Sequence, residues 1–228
     1  MKNPKVLVGC PVSELKDYAL ERYIMGIKDL NYENFDILLV DNSKTDDYFK
    51  KIKKIGLPVV KGPYNDSARQ RIIDSRNIIR QKVLDEGYDY FFSLEQDVTP
   101  PKDVIQRLLG HNKKIVTGVY FSYQTNNDVT LLVPLLWKKV KGEEVRFMLE
   151  REVLEPKLME VDACGLGCIL IHKDVLEKVK FRYNKSDKGF DDMWFCKDAS
   201  DAGFKIFADI SVKCKHLIKG WSWEGIKK

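Results

Sequence analysis

The chain has 228 residues, of which 44% are hydrophobic and 32% charged, with 14 Gly and 8 Pro. Its 39 Lys and Arg against 34 Asp and Glu leave a net charge of +5. A chain of this length can bury roughly 70% of its unfolded surface in one large α/β domain, and the composition excludes disordered, collagenous and low-complexity classes. The small positive excess suits a phosphate-bearing ligand and is too small to call for nucleic acid; no apolar run approaches the roughly 18 to 20 residues of a membrane span.

The first half alternates β-type runs with helical periods, the pattern of parallel strands joined by crossover helices. Residues 5–10 read as a buried strand ended by Pro11, and 15–30 as a helix with Leu15, Ala19, Tyr23 and Ile27 on one stripe. A strand follows over 35–40 and ends in Asp41-Asn42-Ser43; then come a short helix over 45–54 and a brief strand over 57–60. Asp66 or Ser67 can cap a long helix to about Glu86, with Ile72, Ile73, Ile79 and Val83 inward and Gly87 as its stop. Residues 88–94 form the next strand, running into Glu95-Gln96-Asp97 and the helix opener Pro100-Pro101. Beyond this, strands are expected over 114–121, 129–136 and 168–172, a charged connector or hairpin over 142–157, and a helix from Asp174. A polar stretch over 183–189 precedes a helix that Phe190-Asp191-Asp192 opens and Gly203 ends, and then a strand over 205–208.

In an open α/β sheet, ligands bind at the carboxyl ends of the strands. Here those ends carry Pro11-Val12-Ser13, Asp41-Asn42-Ser43 and Glu95-Gln96-Asp97, with neither a dinucleotide fingerprint nor a phosphate loop after the first strand. Glu95 and Asp97, two apart on an extended segment, face one way and offer the oxygen donors that Mg²⁺ or Mn²⁺ prefers; alone they could equally be a solvated strand end. Gly165-Leu166-Gly167 reads as a tight turn or a close backbone approach. Arg69, Arg76 and Arg80 share one helical face, which is expected to be basic.

Val8-Gly9-Cys10-Pro11, Val40-Asp41-Asn42-Ser43, Ser75-Arg76-Asn77, Phe92-Ser93-Leu94-Glu95-Gln96-Asp97 and Phe190-Asp191-Asp192, in that order, resemble the GT-A glycosyltransferases, most closely the family 2 type, over about residues 5–216. The resemblance implies a Rossmann-like three-layer α/β/α sandwich with a mostly parallel central sheet, in one domain. Residues 1–100 would form the half that binds a UDP- or GDP-sugar, 101–216 the acceptor half, and 217–228 a tail or lid. It further implies Mn²⁺ or Mg²⁺ at the D-x-D position, which here reads Glu95-Gln96-Asp97 and makes Asp97 the stronger ligand, with His216 completing the metal shell. Pro11 and Val12 would border base and ribose, Asp41 would bond the base, and Arg76 would lie near base or diphosphate. Of the acidic pair Asp191 and Asp192, the second would be the base that takes the proton of an attacking acceptor hydroxyl, on a glycan, a lipid-linked or a small-molecule acceptor, and the family 2 resemblance implies transfer with inversion. The same aspartate would also suit a helix N-terminus.

The rivals are a noncatalytic nucleotide- or glycan-binding module and a sugar-nucleotidyltransferase, the latter lacking its glycine-rich loop here. Cys10, Cys164, Cys168, Cys196 and Cys214 are odd in number, scattered and without zinc-knuckle spacing, so reduced, buried thiols in a cytoplasmic protein are expected; His111 and His172 read as structural. The opening residues lead into a run too brief for a signal-peptide core. Trp221, Trp223 and the tail lysines suit a closing lid or a peripheral membrane contact.

Overall fold

A computed structural model describes residues 3–126, 128–142, 144–186 and 189–220. The first half comprises β1 (Val6–Val12), α1 (Leu20–Lys28), β2 (Phe35–Asp41), α2 (Asp47–Lys54), β3 (Val59–Lys61), α3 (Ala68–Asp85), β4 (Tyr90–Leu94), β5 (Val98–Thr99) and α4 (Val104–Gly110). The second comprises β6 (Ile115–Val119), β7 (Phe121–Asn126), β8 (Val129–Pro134), β9 (Leu136–Lys141), β10 (Glu144–Phe147), β11 (Leu158–Val161), β12 (Ala163–Cys164), β13 (Cys168–His172), α5 (Lys173–Lys178), α6 (Asp191–Asp201), β14 (Ile206–Lys213) and β15 (Lys215–His216).

Eight strands make one central sheet in the order β11-β14-β6-β13-β4-β1-β2-β3. Four of its neighbour pairs (β1 with β2 and with β4, β2 with β3, β6 with β14) are parallel, while β13 is antiparallel to both its neighbours and β11 to β14. Alternation along β1 explains the layers. Val6, Val8, Cys10 and Val12 face a core shared with Tyr23 and Ile27 of α1, Tyr48 and Ile52 of α2, and Ile105 and Leu108 of α4. Leu7 faces the other core, built with Ile79 and Val83 of α3, Val175 and Leu176 of α5, and Phe195 and Ala199 of α6. Each such fully buried side chain contributes about 1.5–3 kcal/mol, and the result is the three-layer α/β/α sandwich. Among the described residues no helix is long and apolar enough to cross a membrane.

Several elements differ from expectation, each for a local reason. The strand expected to stop at Pro11 continues to Val12, because past Gly9 β1 pairs only with β2, and a strand with one free edge tolerates a proline. The helix expected over 15–30 is split: Glu14–Ala19 is a 3₁₀ turn kinked at Lys16 (φ −105°, ψ 18°), and Leu15 is 70% exposed rather than on the buried stripe of Ala19, Tyr23 and Ile27. Ile72, expected inward, lines a cleft. The strand expected over 114–121 is two, β6 and β7; β7 turns back into β8, and the charged segment contributes β10, which pairs with β9. The edge strand β11 has no counterpart in the sequence reading, and β14 runs well past the expected 208. Cys10, Cys164, Cys168, Cys196 and Cys214 are all free and buried.

Candidate active site

The carboxyl edge of the sheet is organised by one turn. Ser13 leaves β1 and accepts a hydrogen bond from Leu15 N, opening the 3₁₀ turn. Gln96, almost wholly buried, clamps that turn from β4's side: its Oε1 accepts from Ser13 N at 3.1 Å and its Nε2 donates to the Lys16 carbonyl at 2.9 Å. Its amide is thus spent on the turn and does not face the cleft. The flanking members of the triplet hold the other end of the same lysine. Lys16 Nζ lies 3.0 Å from Asp97 Oδ1 and 3.5 Å from Glu95 Oε2.

His216 completes this cluster from the far end of the chain. β15 pairs with β5, Leu217 N donates to the Asp97 carbonyl at 2.7 Å, and the imidazole Nε2 comes to 3.4 Å from Asp97 Oδ2. Its Nδ1 lies 2.8 Å from the Phe121 carbonyl, an acceptor, so Nδ1 carries a proton and Nε2 is the nitrogen turned to Asp97. Burial alone would raise the Asp97 carboxyl, but the imidazole and the Lys16 ammonium hold it down to about 2. Burial opposes the charge on Lys16, yet Glu95 and Asp97 keep it above the ordinary lysine range.

A buried ion network continues inward. Arg76 of α3, 2% exposed, donates from one terminal nitrogen to Ser93 Oγ at 2.7 Å and from the other to Glu95 Oε1 at 2.6 Å. Its Nε stands 2.7 Å from Asp191 Oδ2, an ion pair too badly angled to be a hydrogen bond, so neither atom has a hydrogen-bond partner. Asn77 exchanges two bonds with the Phe181 backbone, fixing the segment that leads towards α6. Arg80 caps the Leu176 and Val179 carbonyls and Arg69 reaches the Gly189 carbonyl. The three arginines share a face as expected, but Arg80 is turned onto the end of α5, Arg69 onto the loop before α6 and Arg76 onto Ser93, Glu95 and Asp191.

At the start of α6, Asp191 and Asp192 divide the work. Asp191 is 4% exposed beneath Arg76, and burial raises its carboxyl despite that neighbour. Asp192 accepts from Met193 N at 2.8 Å, and burial together with the negative charge of Asp191 pushes it up to about 6. Such a value suits a group that takes a proton near neutrality.

Pro11, Lys16, Asn42, Arg71, Arg76 and Glu95 line a cleft of about 560 Å³ including its open mouth. Val12 and Asp41 lie beneath it, fully buried; the Asp41 oxygens are taken by Ser43 N at 3.0 Å and Lys61 Nζ at 2.7 Å. A second groove, lined by Met193, Trp194 and Lys197 of α6 with Lys139, Val145 and Asp162 opposite, begins beside Asp192. Tyr120 lies between the Gly165–Gly167 turn and His216. Its hydroxyl accepts from Gly167 N at 2.8 Å, its ring meets His216 edge-on at 5.4 Å, and a Cβ at Gly165 or Gly167 would stand 2.2 or 2.7 Å from the phenol oxygen. The close approach anticipated for this Gly-x-Gly is therefore made to a tyrosine.

Asp97, Glu95 and His216 have the donor atoms a hard divalent ion takes, but the position between the carboxylates is covered by Lys16 Nζ. An Mg²⁺-like ion, about 2.0–2.1 Å from each ligand oxygen, would meet that ammonium. Among the described residues no three His, Cys, Asp or Glu side chains stand ready to hold a metal. As arranged, the set does not fit the expected Mn²⁺ or Mg²⁺. Lys16, Tyr120 and Lys61 escaped the sequence reading. For Lys16 there was a signal: a lysine in a helix's first turn runs against the helix dipole and so points to a nearby acid. His111, paired with Asp209, and His172, which caps α5, lie outside the cluster, as expected. Trp221 and Trp223, with the rest of the expected lid after 220, fall outside the described residues.

No family model and no curated protein matches this chain. Among solved structures it is similar to A197 from STIV, 16% identical with a TM-score of 0.54 over 94% of this chain and 86% of that one. It is also similar to GalNAc-T7, a GT-A fold glycosyltransferase solved with UDP, GalNAc and Mn²⁺, 11% identical with a TM-score of 0.69. That match covers 96% of this chain but 45% of GalNAc-T7, so this chain spans less than half its neighbour's length. At these identities the likeness is one of architecture, and it establishes that the chain has a mixed α/β fold like that of the GT-A glycosyltransferases.

Proposed function

We propose that this chain transfers a sugar from a nucleoside-diphosphate donor, UDP- or GDP-linked, to an acceptor hydroxyl on a glycan, a lipid-linked sugar or a small molecule. The observation that carries this reading is the placing of Asp192, a carboxyl held at about 6, at the N-terminus of α6 and next to the ion network that runs into the cleft at the carboxyl edge. The donor lies along Pro11, with Arg76 and the cation held between Glu95 and Asp97 facing its diphosphate as the glycosidic bond breaks. Asp192 accepts the proton of the attacking hydroxyl, which reaches the anomeric carbon from the groove beside Met193 and Trp194, giving inversion. Asp191, spent on Arg76, positions that network without touching substrate.

The test is calorimetric titration of UDP, GDP and their sugars, in chelator and with Mn²⁺ or Mg²⁺, followed by donor turnover with Asp192→Asn. Binding of one nucleotide that survives this substitution, with turnover lost, is expected. Binding without turnover in the native chain, over a broad acceptor panel, would reduce the protein to a nucleotide- or glycan-binding module on this fold. Binding of none would end the reading.

A further inference from the structure

All three residues of the acidic triplet are committed to one lysine. Glu95 and Asp97 embrace its ammonium at 3.5 and 3.0 Å, and Gln96 between them holds its backbone carbonyl at 2.9 Å. The backbone of Lys16 is itself bent out of helical geometry at the centre of the 3₁₀ turn, with Lys16 N bonded to the Ser13 carbonyl. This arrangement aims the side chain away from the helix that follows and across the strand edge onto the carboxylates. The Lys16 side chain is 38% exposed and lines the same cleft as Arg71 and Arg76, so a ligand in the cleft meets it. Lys16 already offsets the charge of Glu95 and Asp97 at its end of the network, while Arg76 is shared between Glu95 and Asp191. A divalent ion placed between the two carboxylates would be repelled by the ammonium, and a diphosphate would be drawn to it.

We infer that Lys16 is the resident cation of this cleft, its tethered ammonium bridging Glu95 and Asp97 and facing the diphosphate of the nucleotide in the place where a divalent metal is otherwise expected. This rests on the cleft being the donor site, as proposed above. Both carboxylates then serve to hold the lysine, and Gln96, at the position that D-x-D leaves open, holds its backbone by reaching the Lys16 carbonyl. The consequence is a nucleotide site that works in the presence of chelator.

The experiment uses the full chain and two readouts. Mn²⁺ alone is titrated by electron paramagnetic resonance, and UDP and GDP are titrated calorimetrically in EDTA and in Mn²⁺. The native chain is expected to show no stoichiometric Mn²⁺ site and to bind its nucleotide with the same affinity in both buffers, within about twofold. Lys16→Met should lose about tenfold or more of the affinity measured in EDTA and acquire a Mn²⁺ site on Glu95, Asp97 and His216, while Lys16→Arg should keep chelator-resistant binding. Circular dichroism of each variant confirms that it folds. A native chain that takes up one Mn²⁺, or whose nucleotide binding disappears in EDTA, overturns the inference and leaves the donor reading standing. Failure of both nucleotides in every buffer overturns the donor reading, and this inference with it.

Discussion

Removing Arg76 gives the sharpest test of the buried network, because it separates electrostatics from packing. In Arg76→Met the chain's volume is nearly kept, but Asp191, 4% exposed, loses the cation 2.7 Å away, and Ser93 loses a donor; Glu95, part-exposed, retains Lys16. Stranding one partner of a buried pair costs about 3–5 kcal/mol, or about 6–20 °C in Tm for a chain of this size. The pH dependence fixes the sign. Burial already raises Asp191 above the ordinary carboxylate range with Arg76 in place; without the arginine it rises further. A carboxyl raised on folding is a stability loss that grows as pH climbs through its folded-state value and vanishes below its unfolded one. The variant should therefore melt furthest below the native chain at about pH 8 and recover much of the gap at about pH 5. Differential scanning fluorimetry across that range reads it, and adding Asp191→Asn should restore most of the loss at neutral pH. A deficit that is the same at both ends of the range, or that Asp191→Asn leaves untouched, refutes the account of Asp191 as a charge held down by Arg76.

Further expectations concern other parts of the edge. With Asp192 pushed up to about 6, kcat/KM of the native chain should climb as pH rises through about 6 and then level, as the carboxylate is freed to accept a proton; a flat acid limb would remove Asp192 as base. Gly165→Ala should cost about 1–3 kcal/mol in chemical denaturation, because its Cβ would stand 2.2 Å from the Tyr120 oxygen, and Tyr120→Phe in that background should return part of it; a variant as stable as the native chain would show that the phenol can move aside. Asp97, held at about 2, adds stability that is complete above the usual carboxylate value and is lost as pH falls from about 4 towards 2. Asp97→Asn should flatten acid unfolding in that window, and an unchanged acid limb would show that the carboxylate is not held down.

The sheet was legible because its signals are local. The runs at 35–40, 88–94 and 168–172 are apolar on both faces, as strands covered by helices on either side must be, and Ser67 and Gly203 mark helix ends by capping chemistry. The second half was harder to read: the strand expected over 129–136 matches β8, but β7, β9 and β10 pair in small sheets with few buried positions to mark them, and β11 is an edge strand of four residues. At the site, residue types were visible but partners were not. Asp97 meets a histidine 119 positions on and a lysine 81 positions back, and no periodicity encodes such meetings. Asp41 shows the limit most plainly: its place at a strand end was read correctly, yet Lys61 from the neighbouring strand occupies it.

The strand order also governs how a growing chain could assemble. β1, β2, β3 and β4 lie within residues 6–94 and form four adjacent strands, so this part of the sheet can close on itself as it leaves the ribosome. Until β13 is synthesised, β4 presents an unpaired edge of Tyr90, Phe91 and Phe92, a long apolar rim open to other nascent chains. Only the emergence of residues 215–217 then brings His216 onto Asp97, so the acidic cluster is completed after β13 and β14 have been made.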